Sequence, residues 1–220
     1  MYRPNVVGET ITTCAVRRER DVIYMLKIKI DYKTFFMQSP KKINDNFGIY
    51  LITGYQGSGK TYYSIYLMEK EKKKKIYTNI KSYTSTRNDV HYFEKIEDIV
   101  SNVEDNCIFL IDEVSKRYTK DSKQDLKFYS WLQQSRKHSR YVYLITQEYI
   151  QVPNWLRGIA NQVYTTSKVP LFPIFKTSLG VPFLSTDTYE WTTQTYAIVF
   201  YKRTKKISNC YDTFESINTL

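Results

Sequence analysis

Short apolar runs separated by polar, helix-compatible stretches fill the middle of the chain. GIYLIT (48–53), CIFLI (107–111) and YVYLIT (141–146) are unbroken enough to be strands covered on both faces, as a parallel sheet requires. IYTNI (76–80) and NQVYTTS (161–167) read as two further core strands. Between them, residues 61–72 lack glycine and proline and are able to be helical, and residues 92–100 read as a short helix. Asp121 or Ser122 is placed to cap a helix running to about His138, with Leu126, Tyr129 and Leu132 one turn apart. Pro153 suits the first turn of a short helix over 154–160. Apolar strands alternating with helical stretches are the pattern of βαβ units.

The two ends read differently. Residues 22–30 alternate apolar and polar positions, as a half-buried strand does, and residues 41–46 are a polar connection. The proline-rich stretch from Pro170 to Pro182 reads as irregular, and residues 193–202 and 206–212 as a terminal pair of strands. The predicted fold class is α/β: a P-loop NTPase with a mainly parallel central sheet flanked by helices and β-rich additions at both ends. The predicted division is an N-terminal extension over residues 1–47, a P-loop core over 48–168, and a C-terminal extension over 169–220 packed on that core.

Composition narrows the picture further. Of 220 residues, 42% are hydrophobic and 25% charged, which is enough for an ordinary packed core. The 21 tyrosines read as a tyrosine-tolerant surface rather than a dedicated stacking platform. The net charge of +11 suits a polyanionic partner, nucleic acid first. Cys14, Cys107 and Cys210 lie far apart without ligand spacing, which argues against a disulfide framework and fits a reducing compartment. The apolar runs are too short to cross a bilayer and the first residues lack a signal-peptide core, so a soluble, intracellular protein is expected. His91 and His138 have no partner pattern for metal binding or nucleophilic catalysis.

The chemistry concentrates at GYQGSGKT (54–61), a full match to G-x-x-x-x-G-K-[ST] between an apolar strand and a helix. Backbone N–H groups of Gly54, Tyr55, Gln56, Gly57, Ser58 and Gly59, and those of Lys60, Thr61 and Tyr62 at the helix start, are the expected cradle for the phosphates of ATP. Lys60 supplies a mobile charge for the β- and γ-phosphates, and Thr61 a hydroxyl for Mg2+. In CIFLIDE, Asp112 emerges at the strand end as the second metal-holding residue, and Glu113 follows to polarise the attacking water. A small P-loop nucleotide kinase is the alternative of another class, but the pair Asp112–Glu113 points to water as nucleophile. Thr53, Asp112–Glu113 and Thr146–Gln147 all close predicted strands at the same edge, where open parallel sheets bind ligands. Gln147 is therefore either a water-orienting or γ-phosphate-sensing group or an ordinary surface amide. SRKHSR (135–140) is either a solvated helix end or the source of an arginine acting on a neighbouring subunit's nucleotide. Arg136, Arg140 and, on the later helix, Arg157 are the candidates. Lys70–Lys75 reads as the exposed end of the P-loop helix.

GYQGSGKT, IYTNI, CIFLIDE, SRKHSRYVYLITQ and NWLRGIA together resemble the FtsK–HerA superfamily of DNA-pumping ATPases over about residues 48–167. Within it, the likeness is to genome-packaging ATPases of membrane-containing viruses and to Zot-like proteins of filamentous phages. The resemblance implies Glu113 as catalytic base, Lys60 and Thr61 on phosphates and magnesium, Asp112 as the magnesium acid and Gln147 as the sensor on the strand between the two motif strands. Arg136 would be the leading finger in trans. It also implies a homo-oligomeric ring, commonly a hexamer, threading double-stranded DNA, with capsid or virion membrane proteins as further partners. The expected location is the host cytoplasm or the virion. Zot-like proteins usually carry a membrane span after the ATPase domain, and this sequence has none. A motor packaging a viral genome into its capsid is thus the first expectation, and a Zot-like morphogenesis ATPase the second.

Overall fold

The computed structural model describes residues 12–18, 21–27, 47–101, 104–169 and 174–212. The chain divides into two compact units, Met1–Lys41 and Lys42–Leu220. In the first, β1 (Thr12–Arg18) and β2 (Asp21–Lys27) pair antiparallel from Thr12↔Lys27 to Arg18↔Asp21. The strand expected over 22–30 is present as β2; its last three residues, and the connection read at 41–46, lie outside the described residues.

The second unit is built on an eight-stranded sheet. Its strands are β3 (Gly48–Thr53), β4 (Lys75–Thr78), β5 (Asp89–Tyr92), β6 (Ile108–Ile111), β7 (Tyr141–Ile145), β8 (Gln162–Lys168), β9 (Ile174–Leu184) and β10 (Trp191–Lys202). They lie in the order β10-β9-β8-β3-β7-β6-β4-β5. From β8 to β5 every neighbouring pair is parallel, while β9 and β10 join antiparallel. The helices are α1 (Lys60–Lys70), α2 (Ile96–Val100), α3 (Leu126–Gln133), α4 (Asn154–Ile159) and α5 (Lys205–Ser208).

Helices cover both faces of the parallel strands, which is why their apolar runs are unbroken. Ile49 and Leu51 of β3 pack with α2, α3 and α4 through Ile96, Phe128, Leu132 and Leu156. Tyr50 and Ile52, one residue out of phase, pack on the other face with Tyr63, Ile65 and Met68 of α1. That second layer is a tyrosine core. Tyr50 stacks on Tyr143 and Tyr164 at 5.1 and 5.9 Å, and Tyr201 lies over Tyr62, Tyr63 and Tyr66. The expectation of a tyrosine-tolerant surface is corrected here: Tyr50, Tyr62, Tyr63, Tyr164 and Tyr201 are all buried.

Several predicted boundaries move. Asp125, not Asp121 or Ser122, caps α3, its carboxylate accepting the N–H groups of Lys127 and Phe128 at 3.1 Å. The helix ends at Gln133, because Ser135–Arg140 closes a separate turn in which the Arg140 N–H donates to the Ser135 carbonyl. Its buried stripe is Phe128, Trp131 and Leu132, and Leu126 is exposed. Residues 89–92, the last of them read as a helix start, form β5, an edge strand whose half-exposed positions hide any apolar signal. Of the stretch read as irregular from Pro170 to Pro182, residues 174–182 belong to the eleven-residue β9 (Ile174–Leu184), and residues 170–173 lie outside the described residues. Pro182 is tolerated because β8 pairs with β9 only as far as Gly180, leaving that end of β9 bonded on one side. Residues 205–208 form α5, which takes the first part of the strand expected over 206–212. No helix among the described residues is long and apolar enough to cross a membrane.

Candidate nucleotide site

The loop between β3 and α1 is held in shape from below. Thr166 of β8 donates from its hydroxyl to the Thr53 carbonyl at 3.1 Å and meets the Ser58 hydroxyl at 2.9 Å. The Ser58 N–H closes a turn onto the Tyr55 carbonyl, and the Gly54 N–H donates to the Gln147 carbonyl at 2.9 Å, tying the loop to the end of β7. Gly59 stands at the helix N-terminus with φ of 89°, and a Cβ there would lie 2.7 Å from the Phe175 ring. Both the left-handed backbone and the close approach require glycine. The result is a loop whose amides precede an eleven-residue helix, the arrangement that binds phosphate.

Around this loop lies a cleft of about 440 Å³, lined by Gln56, Gly57, Gly59, Lys60, Thr61 and Tyr62 from the loop and helix, Asp112 and Glu113 beyond β6, and Thr146 and Gln147 beyond β7. A volume of this size suits a small ligand. β7 sits between β3 and β6, so the two strand-end signals flank the P-loop from one side of the sheet. Thr61 donates from Oγ1 to Asp112 Oδ2 at 3.3 Å. The Asp112 backbone is fixed by the Asn79 side chain, which accepts its N–H at 2.8 Å and donates to its carbonyl at 3.0 Å. Asn79 was not singled out from the sequence. Its only signal was a polar residue after the apolar start of IYTNI.

Electrostatics follow from burial. Asp112 is 7% exposed, and burial pushes its carboxyl from 3.8 to about 6 against the opposing pull of the Glu113 N–H, Lys60 and Thr61. Burial likewise lowers the Lys60 ammonium, while Asp112 and Glu113 act to raise it. Lys60 Nζ donates to the Gly54 and Tyr55 carbonyls at 2.6 and 3.1 Å. Glu113 pairs with Lys116 and takes φ of 54°, a left-handed conformation unusual for a side chain of this size. Thr61 and Asp112 supply two hard oxygen donors within reach of each other, the right chemistry for magnesium. Among the described residues no cluster of three His, Cys, Asp or Glu is placed to hold a metal alone, so phosphate and water oxygens would complete its shell.

The Tyr62 ring is 2% exposed and stacks on Phe175 and Tyr201 at 5.6 and 6.0 Å, which leaves its backbone amide, not its side chain, for a ligand. Gln147 is exposed at the cleft margin. The arginines separate cleanly. Arg140 is 1% exposed, donates from Nε to the Glu104 carbonyl at 2.8 Å and lies over Phe109 and Trp131. Arg157, also 1% exposed, donates to the Trp191 carbonyl at 2.8 Å and lies over Tyr149. Both are committed to the interior and are withdrawn as candidates for reaching a neighbour. Arg136 is exposed, at the amino ends of β3 and β7, the edge opposite the P-loop. Arg203, Phe175 and Tyr211, on the far wall of the cleft, were missed altogether.

The family model described as "Zonular occludens toxin (Zot)" matches residues 48–213. No curated protein matches the chain. The solved N-terminal domain of zonular occludens toxin from Neisseria meningitidis is similar with a TM-score of 0.54 and 18% identity, covering 76% of this chain and 100% of that one. The genome packaging NTPase B204 from Sulfolobus turreted icosahedral virus 2, in complex with ATP-gammaS, gives a TM-score of 0.47 at 13% identity, over 69% of this chain and 98% of that one. The RadB recombinase gives 0.49 at 14% identity, over 72% and 89%. A glycine-rich loop between β3 and α1, set in a parallel sheet, gives this chain the fold of a P-loop NTPase, with extra strands at its C-terminal end.

Proposed function

The chain belongs to the zonular occludens toxin family, and from that premise we propose that it is a magnesium-dependent ATPase that drives DNA during virus assembly. The observation carrying this reading is the convergence of Lys60, Thr61, Asp112, Glu113 and Gln147 on one cleft around a glycine-rich loop. In this reading the loop amides and the α1 N-terminus hold the β- and γ-phosphates. Lys60 exchanges the Gly54 and Tyr55 carbonyls for phosphate oxygens. Thr61 and Asp112 would hold magnesium, which when bound neutralises charge on the phosphates. Glu113 leaves Lys116, accepts a proton from water, and the water oxygen bonds to the γ-phosphorus as the bond to the β–γ bridging oxygen breaks. ADP leaves with that oxygen. Gln147 orients the water, as glutamine does in other NTPases.

Purified protein should hydrolyse ATP, and Glu113→Gln should lower turnover by about a hundredfold or more while retaining nucleotide binding. A Glu113→Gln variant that turns over like the wild type would remove the general-base assignment. The partner reading is double-stranded DNA, supported by the net charge of +11. Genome packaging predicts that double-stranded DNA stimulates turnover. The family match favours a second reading, morphogenesis of the particle itself, in which turnover is indifferent to DNA.

A further inference from the structure

The candidate chemistry lies on one side of the P-loop strand, on β6 and β7, yet the cleft continues on the other. There its wall is Phe175 of β9, Arg203 just after β10, and Tyr211 after α5. No motif asks for these residues. A triphosphate whose γ end faces Asp112, Glu113 and Gln147 across the loop leaves its nucleoside to extend toward β9 and β10.

That wall is built onto the phosphate loop. The Phe175 ring occupies the space a side chain on Gly59 would need, 2.7 Å from its Cβ position, so the apolar wall begins where the loop ends. Tyr62, directly after Thr61, grips the chain on both sides of Arg203. Its hydroxyl accepts the Thr204 N–H at 2.8 Å and lies 3.4 Å from the Lys202 carbonyl. Arg203 then donates from Nε to Ser208 Oγ at 2.8 Å, and Ser208 donates back to the Thr204 carbonyl at 3.1 Å. The guanidinium is thereby anchored at one nitrogen, with its side chain still exposed in the cleft. A planar cation that lines the same cleft as Phe175 and Tyr211 is suited to lie on a flat heterocycle.

We propose that Arg203, with Phe175 and Tyr211, forms the nucleoside end of the site, its guanidinium plane laid on the base. The C-terminal strand pair and α5 are then part of the nucleotide site. This rests on the triphosphate reading above, and the test separates the two. Calorimetric titration with Mg2+ compares ATP with inorganic triphosphate, which has no base. Arg203→Ala should weaken ATP about tenfold and leave inorganic triphosphate unchanged. Arg203→Lys should resemble Arg203→Ala, because lysine keeps the charge but not the plane. Lys60→Ala should lose both ligands. The melting temperature of the Arg203 variants should match the wild type, since the side chain is exposed. Undiminished ATP binding by Arg203→Ala overturns the proposal. Equal loss for ATP and inorganic triphosphate also overturns it, by placing Arg203 on phosphate. A wild type that binds neither ligand overturns the triphosphate reading itself, and this one with it.

Discussion

At the tip of β6, Asp112 is a carboxyl whose burial lifts it from 3.8 to about 6. In the unfolded chain it ionises near its ordinary value, so between roughly pH 4 and 6 the folded chain binds more protons than the unfolded one. Stability therefore falls as pH rises through that window, and the full penalty stands above about pH 6. The displacement corresponds to about 3 kcal/mol on the ionised form. Asparagine removes the charge but keeps only one of the two acceptors that Thr61 and the Glu113 N–H now use. Asp112→Asn should accordingly gain on the order of 1 kcal/mol at pH 7.5 without nucleotide or metal, and little at pH 4. It should also lose magnesium-dependent ATP binding. Thermal melts at the two pH values, paired with calorimetry, check both halves. A variant less stable than the wild type at pH 7.5 would show that the acid is not strained by burial.

Between elements, β4 and β6 are locked by more than their ladder. The Asn79 side chain bridges both backbone groups of Asp112 from the end of β4, and is 4% exposed. Asn79→Leu leaves a buried donor and acceptor unpaired and should cost about 2–4 kcal/mol, visible as a lower urea midpoint. It should also lower turnover by shifting Asp112. Unchanged stability would mean that Asn79 only accompanies the pairing. This contact also marks where sequence reading stops. GYQGSGKT and the strands at 48–53, 107–111 and 141–146 were legible because each is a local pattern: glycines at fixed offsets, or an apolar run covered on both faces. Asn79 was not, since its task exists only because β4 lies beside β6 rather than beside β3. β5 and β9 lacked alternation, being an edge strand and a proline-bearing one. Arg203 was one among 33 lysines and arginines until β9 and β10 folded back onto β8 and brought it to the cleft. The tyrosines were misjudged for a related reason: composition counts rings without saying that α1, β3, β8 and β10 stack theirs together.

At the scale of the whole molecule, the position of Arg136 makes a demand on assembly. It stands at the amino edge of the parallel strands, and the P-loop stands at their carboxyl edge. A six-residue strand spans about 17–20 Å, more than an arginine side chain can bridge within one subunit. If Arg136 serves ATP hydrolysis at all, it serves a neighbour's nucleotide. Head-to-tail contact of that kind closes into a ring when the rotation between copies permits. With Arg140 and Arg157 buried on internal partners, Arg136 is the exposed member of the three arginines considered. Arg136→Ala should bind ATP yet turn over at least tenfold more slowly. Lys60→Ala should be inactive because its own cleft cannot hold phosphate. Mixed together, a Lys60→Ala subunit lends its intact Arg136 to an Arg136→Ala neighbour whose P-loop is sound. At equal proportions with random exchange, about a quarter of the interfaces are complete, so turnover should rise well above either variant alone and pass through a maximum with mixing ratio. Turnover that stays flat at every ratio, in assemblies shown by mass to contain both variants, would mean that Arg136 is a solvated surface cation and the trans reading is wrong.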